Sequence, residues 1–287
     1  MKFSYFNNGK QGFCLRSIGC GFTGLMSMLA PRFSASLGKN ILMKPYAKRH
    51  YEFSLIAPEK EINLQTSIGI AHVNLFGTGN NVIVVSHGWG DSSHAFQQMI
   101  WSLTQEGYMV AAIDHIGHGK SSGTKSHLLS FIDTLEILIE HFNEEKMSVT
   151  GIIAHSMGVI ATLNLPLYIL ENKKIILISS PINFFELMFK KVEQVGISRK
   201  LLTAVLESIS HKYGKTWHQL TTESNREKLA LDITFIHDSQ DRYAPIEDVI
   251  NFLKKEKTPL ITTQGLGHRK ILGDTKVIDN ITQVLSF

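Results

Sequence analysis

The chain has 287 residues, 29 lysines and arginines against 25 aspartates and glutamates, and a net charge of +4. That length suits one sizeable α/β domain with ample residues for a buried core. The lysines are scattered without interleaved aromatics on one face, which argues against nucleic acid as a partner, and the only two cysteines, Cys14 and Cys20, fit a reducing cytoplasm.

The first 40 or so residues lack a sheet pattern, and residues 1–55 read as a helical or extended segment packed on a core. Within them Ser17–Pro31 is moderately apolar and follows Lys2, Lys10 and Arg16. Its glycines, its long charged lead-in and the lack of a clean small-x-small site argue against a signal peptide, and it is too short to span a bilayer. It reads as an amphipathic helix lying on the domain, with weak contact to a membrane surface. Residues 61–65 and 69–76 then suit an antiparallel hairpin at the edge of a sheet.

From residue 82 strand-like and helix-like runs alternate, which predicts a mostly parallel sheet with helices on both faces. The strand 82–85 leads into Ser86-His87-Gly88-Trp89-Gly90-Asp91, a glycine-rich loop in which His87 orders the backbone and the Trp89 N–H is free to serve an oxyanion. The strand 109–113 leads into a second loop, 114–123, with three glycines and with His115 and His118. It has neither phosphate-loop spacing nor a metal-ligand pattern and reads as scaffolding; no metal and no cofactor are expected.

Residues 147–154 suit a buried strand and 157–170 a buried helix kinked at Pro166. Between them Ala-His-Ser-Met-Gly places Ser156 on a sharp strand-to-helix turn, the position of a nucleophile, with the Met157 N–H as a second oxyanion donor. A serine needs a base, and the base needs a group that fixes its tautomer. Downstream stand four histidines. His211 and His218 lie in a polar helical stretch and His237 within the strand 233–237, whereas His268 follows 258–263 in Gln-Gly-Leu-Gly-His, a turn that lets an imidazole reach over strand ends. His268 is the candidate base. After strand 233–237, either Asp238 or Asp241 can face it; Asp241 is preferred because the chain must first leave the strand, and Asp238 suits the turn itself. Arg242 pairs with a carboxylate there or is solvated.

After the strand 174–179, residues 181–231 interrupt the alternation with helices carrying Met188, Trp217 and many lysines. They read as an insertion of helices joined by short breaks, with Phe184, Phe185, Met188, Phe189, Leu201 and Leu202 on an apolar face suited to an acyl pocket and Lys190, Lys191, Arg199 and Lys200 on a solvated one.

With these segments in place the chain resembles the α/β-hydrolase superfamily over roughly residues 60–287, through His-Gly-Trp-Gly at 87–90, Asp-His-Ile-Gly-His-Gly-Lys-Ser at 114–121, Ala-His-Ser-Met-Gly at 154–158 and the surroundings of Asp241 and His268. The resemblance implies Ser156 as nucleophile, Asp241 as acid, His268 as base and oxyanion amides at Trp89 and Met157. Two positions depart from it: Ala154 stands where the first turn glycine is usual, and Val159 where a small residue is frequent. The expected organisation is a core of 56–180 and 232–287, a lid at 181–231 and the segment 1–55. The expected function is a serine hydrolase acting on small-molecule carboxylic esters. Thioester, lipid or carbon–carbon bond hydrolysis and acyl transfer share the same triad, and a non-catalytic ligand-binding protein is the reading of another class.

Overall fold

Residues that alternate along each strand face opposite layers, so a strand apolar throughout must be covered on both sides. Val82 and Val84 belong to one buried apolar layer and Ile83 and Val85 to the other, and Ile152 and Ala154 are divided in the same way from Ile153. The computed structural model describes residues 13–45 and 51–286; the rest of the expected segment 1–55 and the Cys14 side chain lie outside the described residues.

In chain order the elements are α1 (Phe13–Leu29), α2 (Pro31–Leu42), β1 (Lys60–Gln65), β2 (Ile70–Phe76), β3 (Asn81–Ser86), α3 (Gln97–Gln105), β4 (Met109–Asp114), α4 (Leu128–Glu144), β5 (Ser148–His155) and α5 (Met157–Leu163). There follow α6 (Leu167–Leu170), β6 (Lys174–Ile178), α7 (Phe184–Gln194), α8 (Arg199–Tyr213), β7 (Ile233–Asp238), α9 (Ile246–Leu253), β8 (Leu260–Thr263), α10 (Gly267–Lys270) and α11 (Thr275–Ser286). The eight strands form one sheet in the order β1-β2-β4-β3-β5-β6-β7-β8. β1 and β2 pair antiparallel as the expected hairpin, β2 also runs antiparallel to β4, and every other pair is parallel.

Helices α4 and α5 cover one face, through Phe131, Leu135, Ile139 and Ile160, and α3 and α11 the other, through Met99, Leu103, Val277 and Ile281. Because the six strands from β4 to β8 run parallel, their carboxyl ends lie on one side, and the loops after β3, β5 and β7 converge there, as open α/β sheets place their ligand sites.

One expectation is corrected. The stretch 157–170 is not a single kinked helix. α5 ends at Leu163 and α6 starts at Leu167, because Pro166 has no N–H to donate and its ring disfavours helical backbone in Leu165. Asn164 caps the break, donating from Nδ2 to the carbonyls of Ile160 and Leu220 and so tying it to the 181–231 segment. Among the described residues no helix is long and apolar enough to cross a membrane.

Candidate active site

β5 delivers Ser156 into a conformation that serine avoids. Its φ is +53° and ψ −118°, a positive-φ turn that costs a non-glycine residue on the order of 1–3 kcal/mol and persists only where the surroundings impose it. The Ser156 N–H donates to the Ile178 carbonyl of β6 at 3.1 Å, which anchors the turn to the sheet. Gly158 is required by packing: a Cβ there would stand 2.7 Å from the Ser86 carbonyl oxygen and 2.9 Å from that of His87. The two departures from the usual turn are absorbed in the core, for Ala154 and Val159 are both fully buried in the layer shared with α4 and α5.

His268, on the four-residue α10, reaches Ser156 from the carboxyl side of β8. Its Nε2 lies 3.0 Å from Ser156 Oγ and its Nδ1 2.7 Å from Asp241 Oδ2. Asp241 Oδ1 accepts from the backbone N–H groups of Tyr243 (2.8 Å) and Ala244 (3.0 Å), so both carboxylate oxygens are engaged and the group has one orientation. Burial alone would raise its pKa, but the hydrogen bond and charge of His268 and the two backbone amides outweigh it and hold the carboxylate below its ordinary range.

Asp238 does different work. Its Oδ1 accepts from the Gln240 N–H, and its Oδ2 from Thr263 Oγ1 (2.8 Å) and the Leu266 N–H (3.0 Å), fastening the end of β7 to the loop that carries His268. His237 is fully buried and structural. Its Nδ1 accepts from the Ser180 N–H and its Nε2 donates to the Ala244 carbonyl. His211 lies on α8 and His218 in a 3₁₀ turn, while Arg242 is exposed and makes no ion pair among the described residues.

The loop after β3 runs beside the serine. A Cβ on Gly88 would stand 2.6 Å from Ser156 Cβ, so only glycine lets this backbone approach. His87 sets its course, donating from Nδ1 to the Gly88 carbonyl (2.7 Å) and accepting the His115 N–H at Nε2 (3.1 Å). His118 Nε2 accepts the Gly90 N–H at 3.0 Å. Among the described residues no protein group accepts the N–H of Trp89 or of Met157, which leaves both amides open to a ligand. The 114–123 loop braces this arrangement: Asp114 Oδ1 accepts from the Ser93 N–H, and Oδ2 from the Lys120 N–H and the Tyr51 hydroxyl. No cluster of three metal-ligating side chains occurs among the described residues.

These loops rest on neutral histidines. Burial pushes the pKa of His87, His115 and His237 down, that of His127 to about 4, and that of His155, which also faces His268, to about 3. Each folded value lies below the unfolded one of about 6.5. Above that pH neither state is protonated and stability does not depend on these groups. Below it the unfolded chain takes up protons that the folded chain refuses, and each histidine removes up to about 1.4 kcal/mol per pH unit until its folded pKa is reached. Urea midpoints measured from neutral pH down to about pH 4.5 should therefore fall steeply below about pH 6.5; a flat profile would show that the imidazoles can be protonated in place.

A cavity of about 630 Å³ opens from Ser156. Gly88, Trp89, Ser156, Met157 and His268 border its polar end. Phe184, Phe185 and Met188 of α7 line it as expected, joined by Leu202, Val205 and Ile209 of α8. Phe189 and Leu201 do not: Phe189 packs against Trp217 and under the Arg199 guanidinium, and Leu201 against Gly38 of α2. The expected solvated face is also corrected in part, since Lys191 borders the cavity and Arg199 pairs with Glu186 and Glu193.

Three contributions escaped the sequence reading. His155, directly before the serine, donates from Nε2 to the His268 carbonyl at 2.7 Å and so holds the backbone of the candidate base. Arg269 grips Asp91 with two hydrogen bonds, 2.8 and 3.0 Å, joining the β3 loop to α10. Leu42 and Met43, at the end of α2, wall the cavity from a segment with no sheet pattern. All three arise from tertiary proximity alone, whereas the apolar spacing of Leu202, Val205, Leu206 and Ile209 on α8 was a legible signal for a pocket wall.

The fold and these segments have counterparts in known proteins. A segment of 81 residues is 30% identical to a monoglyceride lipase homolog of monkeypox virus, covering 27% of this chain and 29% of that one. A segment of 86 residues is 30% identical to human monoglyceride lipase, covering 29% and 28%. The chain thus spans less than a third of the length of these curated relatives. The solved structure of the Pyrococcus furiosus esterase Pf2001 superposes with a TM-score of 0.66 at 17% identity over 85% of this chain and 98% of that one, a likeness of fold. The family described as serine aminopeptidase, S33, matches residues 78–242, which hold Ser86 through Asp241 of the arrangement above, and the chain belongs to this α/β-hydrolase family.

Proposed function

We propose that the protein is a serine hydrolase that cleaves carboxylic esters through an acyl-enzyme. The observation that carries this reading is the continuous relay from Asp241 Oδ2 through the His268 ring to Ser156 Oγ, at 2.7 and 3.0 Å, at the end of an apolar cavity. With the His268 Nδ1–H donating a hydrogen bond to Asp241 Oδ2, Nε2 presents a lone pair to the hydroxyl. Ser156 Oγ attacks the ester carbonyl while Nε2 takes its proton, and the Trp89 and Met157 amides hold the oxyanion, each donor contributing about 3 kcal/mol. The imidazolium then protonates the leaving alcohol. Water, deprotonated by the same nitrogen, releases the acid and restores the serine.

In this reading α7 and α8 are a lid. The cavity lies in the ~300–1,000 Å³ range of small-molecule sites, and its side chains from Leu42, Met188, Leu202 and Val205 suit an aliphatic acyl chain. A panel of p-nitrophenyl esters from acetate upward tests this. Specificity, kcat/KM, should rise with chain length by about tenfold for every two methylenes until the cavity is filled, and acyl-CoA thioesters run alongside separate thioester hydrolysis. Turnover that is absent for every ester would overturn the reading.

A further inference from the structure

Helices α1 and α2 are built inside out. The side of α1 that packs on the body carries small residues: a Cβ on Gly19 would stand 2.6 Å from the Gly196 carbonyl oxygen, Gly24 lies against Ser198, and Thr23 Oγ1 accepts the Ser198 N–H at 2.9 Å. On α2, Ser34, Ala35 and Gly38 are buried, and a Cβ on Gly38 would meet Val205 of α8 at 2.5 Å. The large apolar side chains point the other way. Ile18, Phe22, Leu25 and Leu29 recur every three or four residues on the outer face of α1, and Phe33, Leu37 and Ile41 do so on α2. Leu29 and Phe33 are 77% and 66% exposed. A surface helix normally buries its large apolar stripe, so this outer face is fitted to an apolar surrounding that the described residues do not supply.

The charge of the segment says which surrounding. Residues 1–51 hold eight lysines and arginines and no acidic residue, whereas the remaining chain holds 21 basic against 25 acidic residues. Arg32 and Lys39 stand on α2 beside the apolar stripe and Lys44 just after it. An apolar face flanked by basic residues and free of carboxylates complements an anionic lipid surface, where acyl tails take the apolar face and headgroups the cations.

We propose that the outer faces of α1 and α2 dock the protein on anionic membranes. The docked helices also touch the cavity: Leu42 of α2 and Met43 just after it wall it, beside Leu202 and Val205 of α8. Docking therefore sets the cavity against the lipid surface, and an ester dissolved in the bilayer reaches Ser156 without crossing bulk water. The docking surface stands on its own observations; the delivery of substrate rests on the esterase reading above.

The test uses the full chain with vesicles of phosphatidylcholine, with and without phosphatidylserine, in a co-sedimentation assay. The wild type should bind the phosphatidylserine vesicles and be released by salt. A Leu25→Asn/Phe33→Asn variant should bind at least about tenfold more weakly, and Arg32→Glu/Lys39→Glu should lose the preference for phosphatidylserine. Both should retain the wild-type thermal midpoint and wild-type turnover of a soluble short-chain ester. Failure of the wild type to sediment, or equal binding by the apolar variant, would overturn the docking surface. So would a wild-type dimer in size measurements that the apolar variant dissociates, since a second copy would then be the occupant. If no ester is turned over while vesicle binding follows these substitutions, the docking surface stands and the esterase reading falls.

Discussion

Replacing Ser156 with alanine should lower ester turnover by a factor on the order of 10⁴–10⁶ while leaving the protein folded. The substitution removes the Oγ that lies 3.0 Å from His268 Nε2 and nothing else in the site. The Trp89 and Met157 amides and the cavity remain, so a small residual rate and near-normal substrate binding are expected. Stability should hardly change, because alanine occupies the same φ of +53° as the serine. Ser156→Gly extends the argument: it should be just as inactive but more stable by about 1 kcal/mol, since glycine adopts this conformation without strain. Steady-state kinetics and urea midpoints on the three proteins check both halves. An active Ser156→Ala protein would remove the nucleophile from the scheme.

The second large effect is expected at Asp241. Asp241→Asn should reduce turnover about 10⁴-fold. The geometry explains why so small a change matters. Oδ1 is fixed by the backbone N–H groups of Tyr243 and Ala244, so an asparagine keeps its carbonyl oxygen there and turns its NH₂ toward His268 Nδ1. That nitrogen must then accept, the ring proton moves to Nε2, and the imidazole can no longer take the serine proton. Asp238→Asn is the control. Its carboxylate accepts three hydrogen bonds, and an amide there opposes donors from the Leu266 N–H and Thr263 Oγ1 or from the Gln240 N–H. The cost should be about 1–3 kcal/mol of stability with a much smaller loss of turnover. A larger kinetic effect at Asp238 than at Asp241 would reverse the two assignments.

Much of this was legible because the relevant physics is local. The apolar run into Ser156 and the glycine two residues on mark a strand that must turn sharply, and the structure shows Gly158 pressed against the backbone of β3. Ser156 and Asp241, picked out with His268 by order and context, each lie within hydrogen-bond distance of the His268 ring. Periodicity also located the sheet and its hairpin. It failed where neighbours distant in sequence decide. The break at Pro166 is stabilised by Asn164 reaching Leu220, and the hold of His155 on the His268 backbone spans 113 residues. For α1 the amphipathic pattern left open which side packs: the small residues Gly19, Thr23 and Gly24 permit close approach to the body, and the large ones are left outside.

The central claim is that His268 activates Ser156 for covalent attack. Treating the protein with a fluorophosphonate probe and mapping the modified peptide by mass spectrometry tests it most directly. The account predicts modification of Ser156 and its loss or strong slowing in His268→Ala. Modification at another residue, or labelling of Ser156 at the same rate in His268→Ala, would contradict it.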